Sequence, residues 1–135
     1  IYVPVYSHIF HGDYDRPFQL SVTLSIRNTD SKRKIQIVSA DYHDSDGKLV
    51  RHSLDQPVLL KPLATTYLRV TESDVAGGVS ASFLVKWRGE AQANPPLVEA
   101  VMIGTGGQQG ISFTSRGVPV EDSQPRQDEP KPPSE

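Results

Sequence analysis

The sequence predicts an all-β fold, an antiparallel β-sandwich of immunoglobulin or fibronectin type with eight or nine short strands and a disordered C-terminal tail. Three observations support this prediction. Apolar residues recur with a period of two, turn-forming residues separate the apolar runs at spacings of roughly ten residues, and no window of about eleven residues has a helical period. A small closed barrel has the same pattern, so periodicity leaves that architecture open.

The first strands follow from alternation and turn chemistry. A strand near the N-terminus contains Pro4, which cannot donate to a ladder and therefore indicates an edge position. Residues 18–26 alternate strictly between apolar and polar side chains, as expected for a strand with one buried and one solvated face. Another strand is predicted at residues 34–42. The Asp-Gly pair within residues 44–47 then predicts a hairpin, because glycine accepts the positive φ of a primed turn.

The second half of the chain continues the pattern. Residues 80–88 place four apolar side chains on one face and indicate a second core strand. The remaining strands are predicted at residues 48–53, 57–60, 65–70, 97–103 and 111–115. The predicted core consists of alternate apolar residues of these strands: Val3, Val5, Phe18, Leu20, Val22, Leu24, Ile26, Ile35, Ile37, Leu68, Val70, Phe83, Val85, Trp87, Val101, Ile103 and Phe113.

The composition is that of one domain with a tail. The 135 residues have a formal net charge of −2, so bulk charge does not favour nucleic-acid binding. We predict a sandwich domain over residues 1–117 and a Pro-rich, acidic, flexible tail over residues 118–135, where 5 of 18 residues are proline. The absence of cysteine excludes disulfides and thiol catalysis. No apolar run approaches the length of about 18 residues that a membrane-spanning helix needs.

Two histidines and a carboxylate form the densest polar cluster of the chain. His8, His11 and Asp13 could hold a divalent metal if the segment turns, with His43 as a further candidate ligand. In an extended strand, however, His8 and His11 point to opposite faces. Surface or structural histidines are therefore the alternative interpretation, and no other cofactor is predicted.

No motif for catalysis is present. Residues 44–47 lack two of the oxygen donors of a calcium loop, and the glycine-rich residues 104–110 lack the lysine of a phosphate-binding loop. Glu99 lies on a predicted core face, so we expect a partly buried acid at an edge or paired with Arg27 or Arg88. The acids available for glycoside hydrolysis are Asp13, Asp41, Asp44, Asp46 and Glu99.

Aromatic residues near the N-terminus predict an interaction surface. Tyr2, Tyr6 and Tyr14 lie in or near the predicted edge strand, where an aromatic ring is accessible to a partner. Trp87, by contrast, has an inward position in a core strand, and we expect it to pack in the interior as in many sandwiches.

Five blocks of the sequence resemble a bacterial family known as domain of unknown function 3124: residues 2–9, 24–30, 44–50, 98–104 and 109–117. The resemblance spans residues 1–117 and leaves the Pro-rich tail outside. It implies a short exported or lipid-anchored envelope protein with a signal segment before Ile1. It assigns no catalytic residue.

These observations predict a non-catalytic module of the cell envelope rather than an enzyme. The predicted partner is a protein or an envelope polymer, recognised through an edge strand or the tail, and a subunit role in a larger surface assembly is a version of this hypothesis. The resemblance places the protein in the periplasm or on the envelope, with a lipid anchor upstream of Ile1 as one mode of attachment. The alternatives are a metal- or small-ligand-binding protein that uses the N-terminal His cluster, and an unrecognised hydrolase with paired carboxylates.

Overall fold

The computed structural model describes residues 1–10, 17–106 and 110–121, and these residues form eleven strands and no helix. The strands are β1 (Tyr2–Val5), β2 (His8–Phe10), β3 (Pro17–Gln19), β4 (Ser21–Arg27), β5 (Ile35–His43), β6 (Leu49–His52), β7 (Val58–Leu60), β8 (Thr65–Val70), β9 (Ala81–Gly89), β10 (Leu97–Gly104) and β11 (Ile111–Arg116). Accordingly, none of the described residues belongs to a helix long and apolar enough to cross a membrane.

The strands form two main sheets that enclose one core. The five-stranded sheet has the order β1-β9-β5-β6, with β7 also paired to β5, and the four-stranded sheet has the order β11-β10-β4-β8. All pairings are antiparallel. Buried side chains from both sheets, such as Phe83 and Ile37 from the first and Leu24 and Met102 from the second, belong to one hydrophobic cluster. The predicted antiparallel sandwich is therefore confirmed.

The strand count exceeds the prediction because the first two predicted strands are each divided. The N-terminal strand breaks at Ser7, and the strand predicted at residues 18–26 breaks at Leu20. Leu20 N–H donates to Ser7 O at 3.0 Å, and Ser7 N–H donates to Gly78 O at 3.3 Å. Strands β2 and β3 then pair with each other outside the two main sheets. The alternation of apolar and polar residues continues through such a break, because it depends only on which face of the sheet each side chain lies on. It does not indicate which strand is the pairing partner.

Strand β10 turns its predicted core face outward. The inward side chains are those at the intervening positions, Val98, Ala100 and Met102. Val101 is half-buried and Ile103 is 45% exposed, so placing them in the core was wrong. Both faces of this strand are apolar except for Glu99, and burying an unpaired carboxylate is costly, so the face with Glu99 faces solvent. Within the described chain Glu99 has no ion pair within 4 Å, and the pairing expected with Arg27 or Arg88 is not formed.

The hairpin predicted at residues 44–47 is present between β5 and β6. Asp44 Oδ1 accepts hydrogen bonds from the N–H groups of Asp46 at 3.0 Å and Lys48 at 2.9 Å. Gly47 has a φ of 81°, the left-handed conformation for which glycine is favoured. The turn thus uses the Asp44 carboxylate to bind its own backbone.

A polar network closes the sandwich where β4 ends. The side-chain amide of Asn28 donates hydrogen bonds to the carbonyl oxygens of Arg33, Leu60 and Lys61 at 2.9, 3.2 and 3.0 Å. Its Oδ1 accepts the N–H of Asp30 at 2.9 Å. Asn28 is buried, and these bonds satisfy backbone groups that are buried at Leu60 and Asp30 and partly buried at Arg33 and Lys61. The network ties the end of β4 to the start of β5 and to the end of β7.

Asp30 extends this network as an ionised carboxylate. Its Oδ1 accepts the N–H groups of Lys32 and Arg33, both at 2.8 Å, and its Oδ2 accepts the N–H of Asn94 at 3.1 Å. The backbone hydrogen bonds from Lys32 and Arg33 are the main reason that the pKa of Asp30 is lowered from 3.8 to about 2, against the effect of its burial.

We expect acid to weaken the fold through Asp30. Because the pKa of Asp30 is lower in the folded state than the ordinary value of 3.8, its contribution is complete above pH 3.8 and is lost as the pH falls towards about 2. Urea midpoints measured between about pH 5 and pH 2 should therefore fall more steeply for the wild type than for Asp30→Asn. Asp55→Asn, at an exposed position, is the matched control and should keep the wild-type slope. Equal slopes for wild type and Asp30→Asn would contradict this role.

Candidate functional site

His8 of the predicted metal cluster lies in β2 with one ring nitrogen engaged. Its Nδ1 lies 3.0 Å from Ser7 Oγ, and the Ser7 hydroxyl donates to Gly78 O at 2.6 Å. The Ser7 hydroxyl has one proton, and it donates that proton to Gly78 O. In the neutral His8 ring, Nδ1 therefore carries the hydrogen and donates to Ser7 Oγ, and the lone pair is on Nε2. The Phe10 ring packs edge-on against His8, with centroids 5.9 Å apart. Nε2 is thus the nitrogen that His8 can offer to a ligand.

The rest of the predicted metal cluster is either remote in the topology or outside the described residues. His11 and Asp13 lie outside them. His43 ends β5 in the five-stranded sheet, whereas His8 belongs to the separate β2-β3 pair. In residues 1–10, 17–106 and 110–121, no three His, Asp or Glu side chains are arranged to hold a metal ion. A metal site that includes His11 and Asp13 stays a prediction.

The three tyrosines of the predicted interaction surface have different environments. Tyr2 is 42% exposed on β1, which is the outermost strand of its sheet, as predicted. Tyr6 is half-buried, and its ring packs edge-on against Phe113 with centroids 5.7 Å apart. Tyr14 lies outside the described residues. Of the two tyrosines that the structure describes, Tyr2 is therefore the one exposed on the surface.

The candidate acids of the five-stranded sheet have structural partners. Asp41 Oδ1 lies 2.7 Å from His52 Nδ1 on the neighbouring strand. Asp44 holds the hairpin turn through its Oδ1, and Asp46 lies exposed in the same turn. Asp13 lies outside the described residues. These contacts hold Asp41 against the neighbouring strand and Asp44 within the turn.

Two adjoining cavities lie along β9 on the five-stranded sheet, and Leu84 lines both of them. We call the two cavities together the β9 groove. Because β9 turns Phe83 and Val85 into the core, the alternate side chains point away from it. These alternate side chains are Ser82, Leu84, Lys86 and Arg88.

The first cavity has a volume of about 430 Å³ and combines apolar side chains with two cations, Lys86 and Arg88, and one carboxylate, Glu121. Its lining residues are Ile1, Val38, Leu84, Val85, Lys86, Trp87, Arg88, Val120 and Glu121. Val38 contributes because a bulge between Ile37 and Ser39 adds one residue to β5. Among the described side chains, no carboxylate lies within 4 Å of the Lys86 ammonium or the Arg88 guanidinium. This end of the groove therefore suits a partner with apolar and acidic groups.

The backbone of β9 is accessible next to this cavity. Ile1 exchanges two hydrogen bonds of 2.8 Å with Val85, where the contact with β1 ends. Beyond Val85, β9 continues to Gly89 with β5 on one side. No strand of the described chain pairs with these last residues on the other side. An extended segment can add to this edge by main-chain hydrogen bonds.

The second cavity has a volume of about 300 Å³. Its lining residues are Tyr2, His43, Asp44, Ser45, Gly47, Ser80, Ser82 and Leu84. Ser45 Oγ donates to Gly77 O at 3.3 Å and accepts the N–H of Ser80 at 3.0 Å, which ties the hairpin turn to the segment before β9. The structure thus brings Tyr2 and His43, predicted for separate roles, into one cavity.

Lys86 and Arg88 were missed as functional residues although the sequence contained a signal for them. The inward face of residues 80–88 was recognised, and strict alternation already assigns the intervening residues to the opposite face. On that face Leu84 is an apolar residue with Lys86 and Arg88 following it at intervals of two. No sequence pattern indicated that Val38, Ile1 and Val120 also line the first cavity, because they come from distant parts of the chain.

The comparisons with known proteins identify a family and a fold. The profile of the family described as "Protein of unknown function (DUF3124)" matches residues 1–120. The solved structure titled "Crystal Structure of Thermotoga maritima 1070" aligns with 87% of this chain and 91% of that chain, with a TM-score of 0.53 and 16% identity. At this identity the likeness shows the fold alone. No curated protein matches the chain at a significant level.

Proposed function

We propose that this chain, which belongs to the family described as "Protein of unknown function (DUF3124)", is a non-catalytic binding module of the bacterial cell envelope. Its ligand is an extended segment of a partner protein that carries apolar and acidic side chains. The segment occupies the β9 groove. The resemblance of the sequence to exported and lipid-anchored proteins supports the location, with a lipid anchor upstream of Ile1 as the attachment.

The observation that carries this proposal is the chemistry of the first cavity. Lys86 and Arg88 stand beside the apolar side chains of Val38 and Leu84, and no described carboxylate pairs with either cation. Binding sites typically combine an apolar lining with a few polar groups that fix orientation. The accessible edge of β9 adds main-chain hydrogen bonds to this set. A peptide strand with alternating apolar and acidic residues complements all three features.

The hydrogen bonds of the nearby acids support a non-catalytic role. Asp41 is engaged with His52, and the Asp44 carboxylate is engaged with the turn backbone. A hydrolase of glycosides needs two carboxyl groups facing one substrate. Asp41 and Asp44 are instead used to hold β5, β6 and their hairpin together.

Trp87 makes this proposal directly measurable, because it lines the groove and is the one tryptophan of the sequence. We expect a short peptide of alternating valine and glutamate to change its fluorescence in a saturable way. Lys86→Glu/Arg88→Glu should weaken binding at least about tenfold, since charge complementarity is reversed. Lys34→Glu/Lys61→Glu is the matched control, because it makes the same charge change at exposed sites elsewhere.

Two results would contradict the proposal. One is the absence of a saturable fluorescence change with the wild-type protein. The other is equal binding of the same peptide with lysine in place of glutamate, since the cations of the groove should reject it. An equal loss in the Lys34→Glu/Lys61→Glu control would assign the effect to net charge and not to the groove.

A further inference from the structure

The outer face of the four-stranded sheet is a second exposed surface. Strands β11, β10, β4 and β8 lie side by side, and their registers align outward side chains in rows. One row is Arg116, Glu99, Ser25 and Tyr67. The next row is Thr114, Val101, Thr23 and Arg69, and a third is Leu97, Arg27 and Thr65. We call this surface the arginine face, after Arg27, Arg69 and Arg116.

The charge of the arginine face is unbalanced. Its three arginines are exposed, and Glu99 is the sole acid in the three rows. Within the part of the chain that the structure describes, no carboxylate lies within 4 Å of these guanidinium groups. Arg51, by contrast, forms an ion pair with Asp74 at 2.6 Å. A cationic surface on a chain whose net charge is −2 indicates a localised preference for anions.

The spacing of the arginines favours an extended ligand. With strands about 4.8 Å apart and about 6.8 Å between residues i and i+2, the Cα atoms of Arg27, Arg69 and Arg116 form a triangle with sides of about 12 to 16 Å. This triangle surrounds Glu99 on β10 and Ser25 on β4. One phosphate or carboxylate cannot contact all three guanidinium groups at these separations. A chain that carries repeated anionic groups can do so.

The remaining side chains of this face favour a carbohydrate. Hydroxyl groups of serine and threonine occupy four positions in the three rows: Thr23, Ser25, Thr65 and Thr114. Tyr67 is 66% exposed, so its ring can pack against a sugar while its hydroxyl stays in water. We propose that the arginine face binds an acidic polysaccharide, with guanidinium groups pairing with its acid groups and Tyr67 contacting a sugar ring. This surface is opposite the β9 groove in the sandwich and does not depend on it.

Binding of the full chain to sodium polygalacturonate, measured by affinity electrophoresis and calorimetry, tests this proposal. We expect Arg27→Gln/Arg69→Gln/Arg116→Gln to weaken binding at least about tenfold, because charge-assisted hydrogen bonds to three acid groups are lost. Lys34→Gln/Lys86→Gln/Arg88→Gln removes the same charge elsewhere, including the β9 groove, and should stay within about twofold of the wild type. Tyr67→Ala should weaken binding several-fold without a change in salt dependence.

The test depends on two conditions: the variants must fold, and the binding must be specific for the acidic polymer. All replaced side chains are exposed, and Arg27→Lys/Arg69→Lys/Arg116→Lys should recover part of the binding, because lysine restores the charge without the bidentate geometry of the guanidinium group. No binding of polygalacturonate by the wild type would overturn the proposal. An equal loss in the two glutamine variants would overturn it too, as would equal binding of neutral dextran. Equally effective competition by polyglutamate would assign the surface to an acidic protein instead.

Discussion

Asn28→Ala is expected to lower the free energy of unfolding by about 3 kcal/mol or more. The side chain of the buried Asn28 donates to three carbonyl oxygens and accepts one backbone N–H. Alanine removes all four bonds; Lys61 O keeps the N–H of Ala64 at 3.0 Å, and each buried group left without a partner costs about 1 to 3 kcal/mol. The loss also detaches the end of β4 from the start of β5 and the end of β7, so we expect the whole domain to be affected.

Urea denaturation of the purified domain is the measurement for Asn28. Thr29→Ala is the neighbouring control, because its hydroxyl donates to Pro95 O at 3.2 Å in an exposed position. We expect this control to cost less than about 1 kcal/mol. Asn28→Asp should be as damaging as alanine, because it points a carboxylate oxygen at carbonyl oxygens. Similar stabilities for Asn28→Ala and Thr29→Ala would show that the network does not hold the fold.

Gly77→Ala is expected to cost about 3 kcal/mol through overpacking against Tyr42. A Cβ atom at Gly77 would lie 1.9 Å from Tyr42 Oη and 2.8 Å from Ala81 Cβ. The Tyr42 ring has little room to move, since it stacks on Phe83 with centroids 4.9 Å apart and lies 5.0 Å from the Arg51 guanidinium. The segment before β9 must therefore shift, and its hydrogen bonds with Ser7 and Ser45 would weaken.

Tyr42→Phe removes the hydroxyl that an added Cβ at residue 77 would overlap, and so tests whether this overlap causes the loss of stability. The Tyr42 hydroxyl is buried without a hydrogen-bond partner in the described structure, and burial raises its pKa, so it stays neutral. Removing it should be neutral or stabilising. Gly77→Ala should then cost less in the Tyr42→Phe background than in the wild type. Thermal unfolding of the four proteins measures this difference.

Gly110→Ala is the matched control for Gly77→Ala. The nearest atom to an added Cβ at Gly110 is Gly104 O, at 3.9 Å, and the position has no positive φ. We expect a change below about 0.5 kcal/mol. Two results would contradict this explanation: an equally small change in stability for Gly77→Ala, or the same loss of stability with and without the Tyr42 hydroxyl. Either would show that contact with Tyr42 does not prevent a side chain at residue 77.

The local pattern of the chain was sufficient for much of the fold. Alternation in residues 21–26 reports a strand with one buried face, and the Asp-Gly pair at Asp46 and Gly47 reports a hairpin from backbone conformation alone. The assignment failed in β10, where both faces are apolar. There the choice depended on Glu99, whose burial cost becomes visible only when the opposing sheet is in place.

The candidate sites show where local reasoning ends. Tyr2 was predicted to be accessible because Pro4 indicates an edge strand, and the structure places Tyr2 on the surface of the outermost strand. Its position beside His43 has no local signal, because the two residues are 41 positions apart and meet across the β1-β9-β5 pairing. The same holds for Tyr67 and Arg116, which are aligned by two intervening strands.

The sequence by itself determined the all-β class, the main turns and the inward or outward direction of most strand residues, because these depend on backbone preferences and on a period of two. The tertiary structure alone decided which strands are neighbours, where the two predicted strands break, and which outward side chains share a groove or a face. Strand order depends on two opposing free energies, the cost of closing long loops and the stabilisation from apolar area buried between the sheets. Neither can be read from a short stretch of residues, because both depend on segments that are far apart in the chain.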